Sequence, residues 1–229
     1  MRNTFDRFNG RHQDYQAARP SYAQEFLDWL GELYAPPERY TAADIGSGTG
    51  KLSAQLLAAG FRVCGVEPNP DMRGAAEALL GGDPRFSSSN GTDHDTGLPD
   101  RSVDMVAAAQ AFHWFDGPAF ARECRRILRP GGRAVLVWNV RGSAPVNQAL
   151  AQVFREHCPS FHGFTGGMGE DDPRIRDFFG GAYEKRRFPN PLTLDRDRFL
   201  RRCFSSSYAL REGDADYEAF RAVLEALFD

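Results

Sequence analysis

The chain has 229 residues, 41% hydrophobic and 12% aromatic, enough to bury a core and to exclude wholesale disorder. Charged residues make up 26% and the formal net charge is −3, which excludes a generally basic nucleic-acid binder. No apolar run approaches the ~20 residues of a membrane span, the N-terminus lacks a signal-peptide core, and the four cysteines form no C-x-x-C pair, so a single cytoplasmic domain without a disulfide framework, structural zinc or membrane contact is expected.

In chain order, Ser21 with Gln24 at capping-box spacing opens a helix whose Tyr22, Phe26, Trp29, Leu30 and Leu33 share a face, and Pro36-Pro37 stops it. A strand over 41–45 runs through a glycine-rich turn into a helix ending near Ala59, with Gly60 as its C-cap. Residues 61–66 read as a second strand, and Asn69-Pro70 as the cap and first position of a helix to Leu80. A weak third strand is placed at 85–88 and a buried fourth at 103–109. A helix over 118–128 is ended by Pro130-Gly131-Gly132, and a fifth strand covers 133–140. That strand lacks alternation, as expected when both faces are covered.

The last third is read as a helix over 143–157, a Gly/aromatic loop over 161–169 and a short helix from Asp172-Pro173. A sixth strand at 183–188 and helices over 194–203 and 216–228 follow. Strands alternating with helices define an α/β chain with a mostly parallel, doubly wound sheet and helices on both faces. No linker or repeat divides it.

The strongest local signal is Asp44-Ile45-Gly46-Ser47-Gly48-Thr49-Gly50, between the first strand and its crossover helix. Glycines permit a tight turn and close approach of a ligand to backbone amides. A phosphate-binding loop fails, because Ile45 stands where its first glycine belongs and Leu52 follows Gly50-Lys51. The dinucleotide fingerprint fails at Lys51, and Asp44 would repel a pyrophosphate while attracting a cation. Glu67 ends the second strand, 21 residues after Gly46, at the spacing of an acid that binds ribose hydroxyls. Pro68 and Met72 follow it and border the adenine on this reading. The fourth strand ends in Gln110-Ala111-Phe112-His113-Trp114-Phe115, aromatics suited to a cation or to a core plug. His157, Cys158 and His162 match no familiar metal-ligand spacing, and no metal is assigned.

Asp-x-Gly-x-Gly-x-Gly resembles motif I of the class I S-adenosylmethionine-dependent methyltransferases. Gln110 to Phe115 and Glu123-Cys124-Arg125-Arg126-Ile127-Leu128-Arg129-Pro130-Gly131-Gly132 are similar to the trans-aconitate methyltransferase-like branch of the type 11 methyltransferases. The resemblance implies a strand order of 3-2-1-4-5 and S-adenosylmethionine as cofactor, with S-adenosylhomocysteine as product. It implies that Asp44, Gly46, Ser47, Gly48 and Gly50 meet the amino-acid end and ribose. In related methyltransferases the turn at Asn90-Gly91-Thr92-Asp93-His94 meets the adenine edge, which implies Thr92 and Asp93 as contacts, although the turn reads Gly-Thr-Asp-His where the family commonly has Gly-Thr-Ala-Glu. The segment from Phe5 to Tyr22 resembles a lid, in which Tyr15 and Arg19 close over the methionine end.

Within one domain the resemblance therefore assigns 1–40 to the lid and first helix, 41–141 to the cofactor core and 142–229 to the acceptor side. Related enzymes end on an antiparallel strand after the last helix, and the chain stops at Leu227-Phe228-Asp229 where that strand is expected. The sheet edge is accordingly expected to be incomplete. The implied reaction is in-line methyl transfer to a small molecule, a carboxylate or a hydroxyl compound. Gln110 contacts the cofactor, His113 and Trp114 face the acceptor, and His113 is the candidate base, its ordinary pKa near ~6.5 suiting proton removal at neutral pH; a carboxylate acceptor needs no base, and His113 then only orients it by hydrogen bonding. Two rivals stay open: a non-catalytic S-adenosylmethionine-binding protein and a nicotinamide-dependent oxidoreductase. The oligomeric state is not legible.

Overall fold

A computed structural model of the chain describes residues 19–165 and 167–229. The lid residues before Arg19, Tyr15 among them, lie outside the described residues. Five strands, β1 (Thr41–Ile45), β2 (Arg62–Val66), β3 (Phe86–Ser89), β4 (Val103–Ala109) and β5 (Leu128–Val137), form one parallel sheet in the order β3-β2-β1-β4-β5. The connecting helices are α2 (Lys51–Ala58), α3 (Pro70–Leu80) and α4 (Gly117–Ile127), preceded by α1 (Gln24–Leu33). After the sheet come α5 (Pro145–His157), α6 (Pro173–Phe178), α7 (Arg196–Phe204) and α8 (Tyr217–Phe228). The doubly wound fold and the strand order are those expected from the sequence.

The non-alternating strands follow from burial on both faces. On β1, Ala42 packs into a cluster with Phe26, Leu30, Leu52 and Leu56, whereas Ala43 and Ile45 face a second cluster containing Phe112, Phe120 and Ile127. Burying each large aliphatic or aromatic side chain contributes about 1.5–3 kcal/mol, so the helix faces clamp the sheet from both sides. Helices α5, α7 and α8 close around a third core of Leu150, Phe154, Phe199, Phe220 and Leu224. This C-terminal unit supplies one wall of the crevice described below.

Four local expectations are corrected. α1 begins at Gln24 and its cap, Ala23, offers no side chain. Ser21 instead uses its carbonyl to accept from the amides of Asn139 and Asn190, and Gln24 donates to Asp28. The helix expected from Ser143 begins at Pro145. β5 starts at Leu128, which pairs with Val103, and residues 129–132 bulge out before Arg133 pairs with Met105. The Pro-Gly-Gly run is thus a bulge within the strand rather than a stop before it. Residues 183–188 form no strand. Phe188 packs against Phe26 and Trp29, and Lys185 and Arg187 pair with Glu170. Side-chain anchoring replaces ladder bonds there, and among the described residues the sheet has five strands. No helix among them is long and apolar enough to cross a membrane.

Candidate active site

The glycine turn lies at the carboxyl end of β1. Gly46, Gly48 and Gly50 have φ of 69°, 56° and 79°, a region that favours glycine. The amides of Gly46 and Ser47 donate to the Val66 carbonyl at 2.9 and 3.2 Å, which pins the turn to the end of β2. A Cβ at Gly50 would stand 2.9 Å from Leu80 Cδ1, so this glycine lets α2 and α3 approach. At Gly48 a Cβ would meet open space. The first and last glycines are therefore demanded by packing, and the middle one borders the crevice.

Asp44 is 1% exposed. Ser53, on α2, donates to its Oδ2 at 2.7 Å, and Oδ1 has no hydrogen-bond partner among the described residues. Burial pushes its pKa up to about 6, Ser53's hydrogen bonds oppose the rise, and the charge of Glu67 adds to it. A buried acceptor without a donor is costly unless a ligand completes it. Glu67 is also buried, and its pKa is raised by burial against the pull of two backbone amides, Asn69 and Gly48, and of Arg73. Those amides donate to its two oxygens at 2.9 Å each. The acid thus braces the glycine turn from the end of β2.

The remaining predicted cofactor residues are distributed around this centre. Asn69 caps α3 by accepting from the Met72 amide at 3.0 Å; Met72 is buried. The Pro68 carbonyl accepts from Arg73. Thr92 closes a turn with Asp95. Asp93 accepts from the Asp116 amide at 3.0 Å and so ties the turn to the start of α4.

After β4, Gln110 adopts φ of 54°, uncommon for a side-chain-bearing residue. Its amide donates to the Val137 carbonyl and its side chain to the Asn139 carbonyl. A short 3-10 turn, Phe112–Trp114, follows. Phe112 is buried against Phe115, Phe120, Trp138 and Phe178, so that part of the aromatic cluster is core. Trp114 is half-exposed beside His113, their ring centroids 4.8 Å apart. His113 Nδ1 is buried without a hydrogen-bond partner among the described residues. Burial, then the charges of Arg174 and Arg19, lower its pKa to about 4. The imidazole is neutral at physiological pH, and a much weaker base than its ordinary value suggests.

One cavity gathers Arg19, Asp44, Gly46, Ser47, Gly48 and Gln110. Gly50, Glu67, Pro68, Met72, Thr92, Asp93, His113 and Trp114 do not line it. Its opposite wall carries residues that sequence reasoning missed: Asn139 and Arg141 beyond β5, Phe164, Arg202 on α7 and Tyr208. Asn139 and Arg141 were findable, because they follow the carboxyl end of a central strand, where open α/β sheets bind ligands. Arg202 and Tyr208 carry no local signal. The donor set suits S-adenosylmethionine: a buried acceptor oxygen on Asp44 for a cationic group, an open approach at Gly48, and an arginine, Arg19, for a carboxylate.

Comparison with known proteins agrees. The methyltransferase-domain family profile matches residues 43–136. A solved structure from Anaeromyxobacter dehalogenans, provisionally described as a type II methyltransferase, is 30% identical and covers 92% of this chain and 89% of its own, with a TM-score of 0.58. An uncharacterized methyltransferase of Mycobacterium bovis is 42% identical over 127 residues, and one of Schizosaccharomyces pombe 32% over 147. These alignments take in 56% and 63% of this chain and 49% and 57% of the relatives, so the chain spans about half the length of the curated relatives it matches. The chain belongs to the class I, Rossmann-like S-adenosylmethionine-dependent methyltransferases.

Proposed function

We propose that the chain transfers a methyl group from S-adenosylmethionine to a small-molecule acceptor in the crevice above β1 and β4. The observation that carries this reading is the unpartnered Oδ1 of buried Asp44 beside an open glycine turn. When bound, S-adenosylmethionine supplies a methyl group already activated on a sulfonium sulfur. Asp44 accepts from the cationic amino-acid end, and Arg19 donates to the carboxylate at that end. Each Glu67 oxygen accepts one backbone amide and keeps a second lone pair, which takes a ribose hydroxyl. Pro68 and Met72 border the adenine, and the Thr92–Asp93 turn meets its edge.

The chain's part in the chemistry is alignment and exclusion of water. Gln110, held in its strained conformation by Val137 and Asn139, sets the floor. His113 is the candidate catalytic group and Trp114 its neighbour on the acceptor side. The lowered basicity of His113 favours orienting the acceptor through its neutral imidazole over holding a full proton. Calorimetry with S-adenosylhomocysteine, on wild type and Asp44→Asn, tests the donor site. Turnover of methyl-labelled donor with a metabolite extract tests transfer. Binding lost in the variant, with labelled product from wild type, is expected; binding without product would reduce the chain to a cofactor-binding protein.

A further inference from the structure

The cavity beside the glycine turn has an unusual charge balance. In a chain of net charge −3, the cavity is lined by four cations, Arg19, Lys51, Arg141 and Arg202, and by one carboxylate, Asp44. Several other arginines pair with acids: Arg126 with Glu123 and Asp100, Arg129 with Asp104, and Arg174 with Asp172. Among the described residues no carboxylate forms an ion pair with Arg141 or Arg202. The Arg141 guanidinium lies 4.2 Å above the centre of the Phe164 ring. That contact uses its face and leaves its planar N–H edge for a ligand. Arg202 Nε is buried with no hydrogen-bond partner among the described residues. Burial lowers the pKa of both groups, and for Arg202, brought to about 10, the neighbouring charges of Arg141 and Arg19 add to the effect. Two adjacent, partly desolvated cations with no carboxylate partner among the described residues are unfavourable, and an oxyanion between them removes that penalty.

The geometry points to Arg141 and Arg202 as the subsite that grips a carboxylate of the methyl acceptor. The inference rests on the methyltransferase reading and deepens it. The alternative source of the anion is the donor's own methionine carboxylate. That single charge is assigned to Arg19, which also donates to the Ser206 hydroxyl at 3.3 Å and leaves two further arginines at the same cavity for a second anion. Arg141 and Arg202 follow β5 and belong to the wall built with the C-terminal helices. A carboxylate engaged by guanidinium groups has its lone pairs committed to hydrogen bonds. It is therefore the handle that orients the acceptor, and the methyl group goes to another atom of the same molecule.

The test uses the full chain saturated with S-adenosylhomocysteine and titrated with glutarate or citrate, with glutaramide as the neutral control. The proposal expects saturable dicarboxylate or tricarboxylate binding, none of glutaramide, and a loss of about tenfold or more in Arg141→Gln and in Arg202→Gln. S-adenosylhomocysteine affinity should stay within about twofold in both variants. Neither variant should melt lower than wild type, because each relieves like-charge crowding, and Arg202→Lys should recover part of the binding. If either Gln variant weakens S-adenosylhomocysteine about tenfold, the wall serves the donor and the proposal falls. It also falls if neither glutarate nor citrate binds wild type, if the variants bind them unchanged, or if inorganic phosphate competes as strongly as both. Failure of wild type to bind S-adenosylhomocysteine at all would instead overturn the methyltransferase reading.

Discussion

The backbone amide of Gly48, at the crest of the glycine turn, donates a 2.9 Å hydrogen bond to Oε2 of Glu67 at the end of β2. The neighbouring strand end thus holds the turn open. Glu67→Ala leaves the Gly48 and Asn69 amides without their acceptor. We expect S-adenosylhomocysteine binding to weaken by about 1.5–3 kcal/mol, the scale of hydrogen bonds to a charged group. Calorimetry on the folded variant checks this, and unchanged affinity would remove Glu67 from the donor site.

Gly46 and Gly48 both have positive φ, yet their surroundings differ. A Cβ at Gly46 would lie 2.8 Å from Ala111 Cβ and 3.2 Å from Phe115 Cζ, whereas one at Gly48 meets nothing within 4 Å. Gly46→Ala should therefore lower stability by about 2 kcal/mol or more, from strain plus overlap. Gly48→Ala should cost only about 1 kcal/mol of strain while impairing S-adenosylhomocysteine binding. Urea midpoints and calorimetry on the pair separate the two effects.

Asp44 binds its proton more tightly in the folded chain, with a pKa of about 6 against an ordinary 3.8, chiefly through burial. Stability contributed at this site therefore falls as pH rises from 3.8 to about 6 and is level above that. The loss amounts to about 3 kcal/mol. Asp44→Asn should melt above wild type at neutral pH and converge with it below about pH 4. Wild-type affinity for S-adenosylmethionine should decline below about pH 6, where Asp44 takes up its proton.

His113 works in the opposite direction. Burial and the charges of Arg174 and Arg19 set its pKa at about 4, below the ordinary 6.5. Its stability contribution is complete above 6.5 and is lost as pH falls through about 4, by at most about 3 kcal/mol. The two sites should nearly cancel in wild type between those limits. His113→Gln should expose the falling Asp44 slope, and Asp44→Asn the rising His113 slope, in melting temperatures recorded against pH. With saturating donor, so that the affinity loss below about pH 6 does not intrude, the acidic limb of the kcat–pH profile should lie near pH 4. A limb near 6.5 that vanishes in His113→Gln would restore the base assignment at its ordinary pKa.

Glu123 anchors the turn before β4 from α4. It accepts from both the amide and hydroxyl of Thr96, at 2.9 and 2.6 Å, and from Arg126. Burial raises its pKa, but Arg126 and Thr96 outweigh that and hold it at about 2. Glu123→Ala leaves the buried Thr96 donors unmet and should destabilise by about 3 kcal/mol, with the gap to wild type narrowing as pH falls from 4.5 towards 2. Chemical denaturation at two pH values checks both statements.

Sequence alone determined the elements whose causes are local. Asn69-Pro70 starts α3, the Asp44 to Gly50 turn joins β1 to α2, and the apolar runs of β1 and β4 mark strands covered on both faces. Each follows from backbone sterics, capping or periodicity within a few residues. The same short turn excluded the phosphate and dinucleotide patterns, and the class of cofactor came from its resemblance to motif I of the class I methyltransferases. What only the tertiary structure decided rests on groups distant in sequence. Residues 183–188 have strand-like composition, but Phe188 docks on α1 and the neighbouring cations find Glu170, so no ladder forms. His113 looks like an ordinary histidine until the fold buries it near Arg174 and Arg19. Arg202 looks like a helix-surface arginine until α7 turns it towards Arg141 and the glycine turn. Burial and Coulomb interaction depend on distance in space, and the crevice brings together residues more than a hundred positions apart along the chain.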